Sequence, residues 1–137
     1  MQVPDSIAAV FAAVPANRSF GFVMHACGTN GAELGLEPRP EHVQEHGVVH
    51  GGVLAALADT AAVYAFRASL EPGQAATSIE FKLNFLRPAQ VGAGELRARS
   101  RIVRRGRRVC VCDVDVLQGD APVATGTFTY LFIERGD

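Results

Sequence analysis

The pattern of apolar and polar residues predicts one long helix near the middle of the chain. Residues 50–68 are rich in alanine, contain no proline and are apolar around almost the whole circumference of a helix. Such a helix has to be buried on most sides, so the rest of the chain is expected to wrap around it. A shorter N-terminal helical segment is predicted within residues 1–17, where Pro15 and Asn17 are expected to break the pattern.

Strand-like runs dominate the second half of the chain. They cover residues 77–86, 95–103, 108–117 and 123–133, and a weaker run covers residues 32–36. The segments Arg105-Gly106-Arg107 and Gly119-Asp120 stand where hairpin turns are expected. The pattern predicts an antiparallel meander over residues 77–133. The chain is therefore expected to form a single α+β domain over residues 1–137, a curved antiparallel sheet wrapped around the long central helix.

Composition narrows the class of protein. With 137 residues, 48% hydrophobic and 20% charged, the chain is long and apolar enough to bury a core without disulfides. The net charge of -1 gives no general attraction to nucleic acid or to an anionic membrane. Three cysteines are an odd number, which favours small buried side chains over a disulfide framework. Because no signal peptide or bilayer-spanning run is evident, we expect a cytoplasmic protein without a membrane partner.

Asp59 is an anomaly in the predicted central helix. The residues three and four positions away on either side are Ala55, Ala56, Ala62 and Val63. None of them can pair with a carboxylate, and an ionised carboxylate on an apolar helix is costly unless something solvates it. The residue is therefore either part of a functional site or a structural acid that faces water or caps a backbone segment.

The turn His50-Gly51-Gly52 precedes the helix that carries Asp59. Glycine permits close approach to the backbone, and the first helical turn has unpaired N–H donors at the positive end of the helix dipole. Such donors suit a carbonyl oxygen that gains negative charge. The alternative is that the glycines only allow a tight entry into the helix. An acid nine residues after the histidine strengthens the functional interpretation.

Residues 44–60, with the sequence QEHGVVHGGVLAALADT, resemble the signature of hotdog-fold thioesterases, and most closely the phenylacetate-degradation type. The later segment Phe85-Leu86-Arg87-Pro88 is similar to the same branch, and the resemblance covers roughly residues 30–133. It implies a hotdog fold, assembly into homodimers and often homotetramers, and hydrolysis of an acyl-CoA thioester. It implies no cofactor, because the coenzyme A is part of the substrate.

The resemblance also implies roles for individual residues. Asp59 matches the acid that acts as nucleophile or general base, and the Gly51 N–H matches the donor that polarises the thioester carbonyl. His50 matches the histidine that shapes this turn, and Gln44 matches a side-chain amide that orients substrate or water. Gly52 and Thr60 belong to the same motif and are expected at the substrate. In the family, the acid and the glycine turn of one site come from opposite subunits.

Two positions depart from the family pattern. The phenylacetate branch usually has asparagine where this chain has Gln44, so the identity of the acyl group is open. Val63 stands where some branches have a serine or threonine. The missing hydroxyl is then expected from Ser78 or Thr77 at the start of the following strand, although an ordinary strand-initiating serine explains Ser78 equally well.

Basic and histidine residues suggest further sites. Arg105 and Arg107 at a predicted hairpin, together with Arg87, are candidates for contacts with the CoA phosphates, although the hairpin arginines also suit a solvated turn. No aromatic residues alternate with them, which disfavours nucleic acid. His42, His46 and His50 are four residues apart, as metal ligands on a helix are. Because Gly47 and Pro40 disfavour a helix there, no metal is expected.

Two other functions stay open. An acyl-thioester hydratase on the same fold is disfavoured because Gly51-Gly52 follows His50, where a different motif is expected. A non-catalytic acyl-CoA binding or sensing protein is disfavoured because Asp59 is present. The alanines of the central helix leave room for an aryl or a short- to medium-chain acyl group, without choosing between them.

Overall fold

The computed structural model describes residues 2–135, so the ends of the predicted ranges 1–17 and 1–137 lie outside the described residues. The described part contains three α-helices and one sheet of six strands. The helices are α1 (Asp5–Ala13), α2 (Pro15–Phe20) and α3 (Gly51–Phe66). The strands are β1 (Val23–Cys27), β2 (Gly31–Leu36), β3 (Gln74–Phe85), β4 (Leu96–Arg105), β5 (Val109–Gln118) and β6 (Ala121–Glu134).

Helix α3 is the predicted central helix, and it packs against strands β2, β4, β5 and β6. A short 3-10 turn, Arg67–Ser69, extends it at the C-terminal end. Three sides of the helix are buried, with Leu57, Ala58 and Ala61 completely inaccessible. A stripe of partly exposed residues remains on the fourth side, at the spacing of one helix face. It consists of Ala55, Ala56, Asp59, Thr60 and Val63.

The sheet has the strand order β1-β2-β4-β5-β6-β3, and every pairing in it is antiparallel. The predicted meander over residues 77–133 is therefore wrong in one respect. Strands β4, β5 and β6 follow one another as hairpins, but β3 pairs with β6 and lies at the edge of the sheet. The ten residues between β3 and β4 cross about 14 Å, the width of three strand spacings, whereas a hairpin turn would have kept the two strands adjacent.

The N-terminal part differs most from the prediction. Pro15 does not end the helical segment but opens α2, where a first-turn position needs no N–H donor. Strand β1 was not predicted at all. Its pairing with β2 shifts register between Met24 and Ala26, so the chain shows no regular alternation there.

The core lies between α3 and the concave face of the sheet. Cys27, Cys110 and Cys112 are buried there, as the sequence predicts. Strand β3, at the edge of the sheet, leaves large apolar side chains exposed, among them Ile79, Phe81 and Phe85. Among residues 2–135, no helix has both the length and the apolar character needed to cross a bilayer.

Candidate active site

The N-terminus of α3 presents one open backbone donor. The His50 N–H donates to the His42 carbonyl at 2.8 Å. The Gly52 N–H donates to His50 Nδ1 at 2.8 Å, so the histidine side chain caps the helix. Within residues 2–135 the Gly51 N–H has no acceptor. Of the donors predicted at this helix start, Gly51 is therefore the one that remains available to a ligand.

Phe85, the last residue of β3, covers the same turn. A Cβ atom added to Gly51 would lie 3.2 Å from Phe85 Cζ, which is closer than ordinary contact. A glycine at this position therefore lets the ring approach the start of α3. Arg87 follows two residues later and is exposed. The structure thus places Phe85, the first residue of the segment 85–88 that resembles the family, next to the start of α3.

The loop before α3 is held by a buried histidine. His42 Nδ1 accepts from the Arg39 N–H at 3.0 Å, and His42 Nε2 therefore carries the proton and donates to the Phe20 carbonyl at 2.9 Å. With both ring nitrogens occupied, His42 has none to offer a metal. His50 Nδ1 is occupied as well, and residues 2–135 contain no group of three potential ligands.

Asp59 lies in the middle of the partly exposed stripe of α3. Its carboxylate accepts a hydrogen bond from the Tyr130 hydroxyl through Oδ1, and the same hydroxyl lies 3.0 Å from the Asp59 carbonyl oxygen. Tyr130 belongs to β6 and is 1% exposed. Burial, followed by the charge of Asp59, raises the pKa of Tyr130 far above its usual value, so the hydroxyl stays protonated.

The interaction of Tyr130 with Asp59 was not predicted. The two residues are 71 positions apart in the chain, and an alternating strand predicts a buried tyrosine without indicating which side chain its hydroxyl meets. The sequence showed only an aromatic run at the end of β6, and burial in the core is enough to account for such a run. The structure instead places a polar donor from the sheet at the one charged residue of α3.

Gly51 and Asp59 of one chain are far apart. Eight residues separate them, which corresponds to about 12 Å along the helix axis. A donor bound to a carbonyl oxygen and a group that attacks the carbonyl carbon, directly or through a water, both lie within hydrogen-bond range of the reacting atoms. These two groups of one chain are too far apart to act together on one thioester.

The other predicted residues occupy varied positions. The Gln44 side-chain oxygen accepts the His46 N–H within its own loop. The Thr60 hydroxyl donates to the Ala56 carbonyl at 2.7 Å, within α3. Thr77 and Ser78 are exposed on β3. Ser78 stands opposite Tyr130 in the pairing of β3 with β6. Because the register shifts between Ser78 and Glu80, Ser78 lies on the same concave face of the sheet as Phe81.

Arg105 and Arg107 lie at the opposite end of the helix from Gly51. Arg105 binds the hydroxyl and the carbonyl of Ser69, and its guanidinium lies 4.8 Å from the ring centroid of Phe132. Since Ser69 is about 27 Å from Gly51 along the helix, Arg105 fastens the hairpin to the far end of α3. Arg107 is exposed beside the end of β6.

Comparison with known proteins identifies the family. The family model of the thioesterase superfamily matches residues 46–125, more than half of the chain. A Haemophilus influenzae protein described as a candidate esterase is 32% identical over 96 residues, which is 70% of this chain and 68% of that protein.

Solved structures agree with that match. A variant of the phenylacetic acid degradation protein PaaI from Thermus thermophilus is 30% identical, with a TM-score of 0.78 over 86% of this chain and 98% of that one. A thioesterase family protein from Silicibacter pomeroyi is 27% identical, with a TM-score of 0.84 over 92% and 94%. A Haemophilus influenzae thioesterase, 24% identical, shares the fold with a TM-score of 0.87 over 100% and 95%. The chain therefore belongs to the thioesterase superfamily, has the hotdog fold of that superfamily, and is a thioester hydrolase.

Proposed function

We propose that this chain hydrolyses acyl-CoA thioesters to the free acid and coenzyme A, with Asp59 as the catalytic carboxylate and the Gly51 N–H as the donor to the carbonyl oxygen. The observation that carries the proposal is the open Gly51 N–H on the same helix whose exposed stripe contains a single acid, Asp59. Neither group is a hydrogen-bond partner of the other, since within residues 2–135 the Gly51 N–H has no acceptor and the Asp59 carboxylate accepts from Tyr130.

In the proposed reaction the Gly51 N–H binds the carbonyl oxygen and stabilises the negative charge that develops on it. Asp59 acts in one of two ways. As a general base it takes a proton from the water that attacks the carbonyl carbon. As a nucleophile it attacks the carbon itself, and water then opens the mixed anhydride. In both routes the carbon–sulfur bond breaks, and the thiolate of coenzyme A leaves and takes up a proton.

A complete site requires two copies of the chain. Because Gly51 and Asp59 of one chain are about 12 Å apart along the helix, the donor and the acid of one site come from different subunits. We propose a homodimer in which β3 pairs with β3 of the second copy. Its twelve residues offer an unpaired backbone edge with exposed apolar side chains, whereas the other edge strand, β1, has five residues and contacts α1. A homotetramer of two such dimers is the further expectation.

The remaining predicted residues have supporting roles in this proposal. His50 and Gly52 shape the donor turn, and Gln44 orients substrate or water. Ser78 and Thr77, exposed on β3, contribute a hydroxyl near the dimer edge. Thr60 and the alanines of the α3 stripe form a small apolar surface that suits an aryl or a short- to medium-chain acyl group, in keeping with the similarity to PaaI.

Arg87 and Arg107 are the cations that we propose for the CoA phosphates. Both are exposed, and among residues 2–135 no carboxylate lies within 4.0 Å of either guanidinium. Arg105 is a weaker candidate, since Ser69 and Phe132 already engage its guanidinium. No cofactor enters the proposed reaction.

Release of free thiol from a panel of aryl- and alkyl-CoA thioesters tests the proposal. We expect the wild type to be active and Asp59→Asn to lose about 10²- to 10⁴-fold in kcat. Asp120→Asn is the matched control, because Asp120 is an exposed aspartate in a turn, and it is expected to keep full activity. An unaffected Asp59→Asn would remove Asp59 from the mechanism. A folded wild type without thiol release on any substrate would favour an acyl-CoA binding protein.

A further inference from the structure

The hydroxyl of Tyr130 has two possible acceptors, both on Asp59. The backbone carbonyl lies 3.0 Å away, and Oδ1 of the carboxylate is also within hydrogen-bond distance. A helix carbonyl in the middle of α3 already accepts from the N–H four residues later. The carboxylate is charged and gives the stronger bond, so the single hydroxyl hydrogen is directed to Oδ1.

Tyr130 is held more firmly than the acid that it contacts. Its ring is packed 5.0 Å from the ring of Phe66, and its backbone is paired on both sides, with Cys110 on β5 and Ser78 on β3. Asp59, in contrast, is partly exposed on a helix face, and among residues 2–135 no cation forms a salt bridge with it. A rigid donor from the sheet therefore fixes a side chain that the helix alone would leave free to rotate.

We propose that Tyr130 is a positioning residue for thioester hydrolysis: by donating to Oδ1 it sets the plane of the Asp59 carboxylate and leaves Oδ2 as the atom that meets the thioester or the attacking water. The inference rests on the catalytic role proposed for Asp59. It adds which oxygen of the carboxylate acts and what holds that oxygen in place.

A purely structural role is the competing explanation. A buried hydroxyl needs an acceptor, and the Asp59 carbonyl alone would satisfy it. The chain contains an internal control for this explanation, because it has two tyrosines and both are buried. Tyr64 lies on α3, 5% exposed, with its ring against Phe11 at 5.4 Å, and within residues 2–135 no hydrogen bond joins it to Asp59.

Steady-state kinetics of Tyr130→Phe and Tyr64→Phe separate the two roles. Each variant removes one buried hydroxyl and keeps the ring, so both are expected to fold, which thermal unfolding checks. We expect Tyr130→Phe to lose roughly tenfold or more in kcat with KM little changed, as for loss of a hydrogen bond to a charged group. Tyr64→Phe is expected to match the wild type. Equal kcat values for the two variants would overturn the proposal.

Tyrosine fluorescence tests the hydrogen bond itself, without reference to turnover. The chain has no tryptophan, so in the Tyr64→Phe background Tyr130 is the only tyrosine. A phenol that donates to a carboxylate emits weakly. Replacing the acid by Asp59→Asn in that background should therefore raise the emission, and an unchanged emission would show that the bond is absent in solution.

Failure of this inference is distinguishable from failure of the proposed function. If Asp59→Asn keeps full activity, the catalytic role of Asp59 is lost and the positioning role with it. If Asp59→Asn is inactive while Tyr130→Phe has the kcat of Tyr64→Phe, only the positioning role is wrong.

Discussion

Gly51 serves the proposed reaction through its backbone and through the space that its missing side chain leaves. Its φ angle is outside the left-handed region, so the helix does not require glycine there. What favours glycine is the ring of Phe85, which a Cβ atom would approach to 3.2 Å. The open N–H and the close ring are separate properties, and two substitutions separate them.

Gly51→Pro is expected to abolish the donor while keeping the helix. Proline is favoured at the first helical position, and His50 before it has φ -60° and ψ 133°, the extended conformation that residues preceding proline adopt. The N–H has no acceptor within the described residues, so its loss breaks no intramolecular bond. Removing one donor to a developing oxyanion should lower kcat by about 10²- to 10³-fold, measured by thiol release.

Gly51→Ala is the control for that substitution. It introduces the same Cβ atom against Phe85 but keeps the N–H, so any loss that the two variants share comes from the displaced ring. We expect Gly51→Ala to retain most of the activity that Gly51→Pro loses. If the two variants lose equal activity, the N–H of Gly51 is not the oxyanion donor.

Sequence reasoning could propose site residues only where the signal is local. Asp59 is recognisable because its neighbours on the helix are apolar, and Gly51 because it starts the same helix. Tyr130 was missed because its significance depends on a contact across 71 positions. The engagement of Arg105 by Ser69 was missed for the same reason, since 36 positions separate those two residues.

At the scale of elements, regular periodicity predicted α3 and the existence of β3, β4, β5 and β6, but not how they pair. Nothing in the alternation of β3 distinguishes a neighbour of β4 from a neighbour of β6. The register shift in β3 was also out of reach, because Ile79, Phe81 and Leu83 continue to alternate with polar residues in the sequence through the bulge. Strand β1 escaped prediction for a different reason, since the bulge near its centre breaks the alternation that would indicate a strand.

Strand β3 is the element on which the assembly is proposed to depend. Ile79 is 56% exposed and is the extra residue at the bulge between Ser78 and Glu80. Val103 on β4 offers a close match: it is also β-branched, 50% exposed and the extra residue between Ile102 and Arg104. The two positions differ in that Ile79 is at the proposed dimer edge and Val103 is on an interior strand.

Ile79→Lys is expected to weaken the dimer and Val103→Lys to leave it intact. In each copy the substitution introduces one charge and removes one apolar contact at the interface. The dissociation constant of the dimer should therefore rise about a hundredfold. Analytical ultracentrifugation over a range of protein concentrations measures this. Activity of Ile79→Lys should fall on dilution and recover on concentration. Equal dimer stability for the two variants would contradict the assignment of β3 as the interface.

At the scale of the whole molecule, one helix carries both groups proposed for the chemistry, and the proposal assigns them to two different sites. The Gly51 N–H stands at the first turn of α3 and Asp59 two turns further on, on the partly exposed stripe of the helix. The proposed two-fold dimer would contain two equivalent sites, each made of the donor of one copy and the acid of the other. This arrangement makes a prediction that no single-subunit site shares.

Mixing two inactive variants should restore activity. In heterodimers of Asp59→Asn with Gly51→Pro, one site collects both substitutions and the other site collects neither. Random assortment makes about half of the dimers heterodimers, each with one intact site, so an equal mixture should reach about a quarter of the wild-type activity. Co-expression with two different affinity tags yields the heterodimer, and tandem purification followed by a thiol-release assay measures it. Were both groups of a site supplied by the same chain, every site would carry one substitution, and the purified heterodimer would be as inactive as either parent.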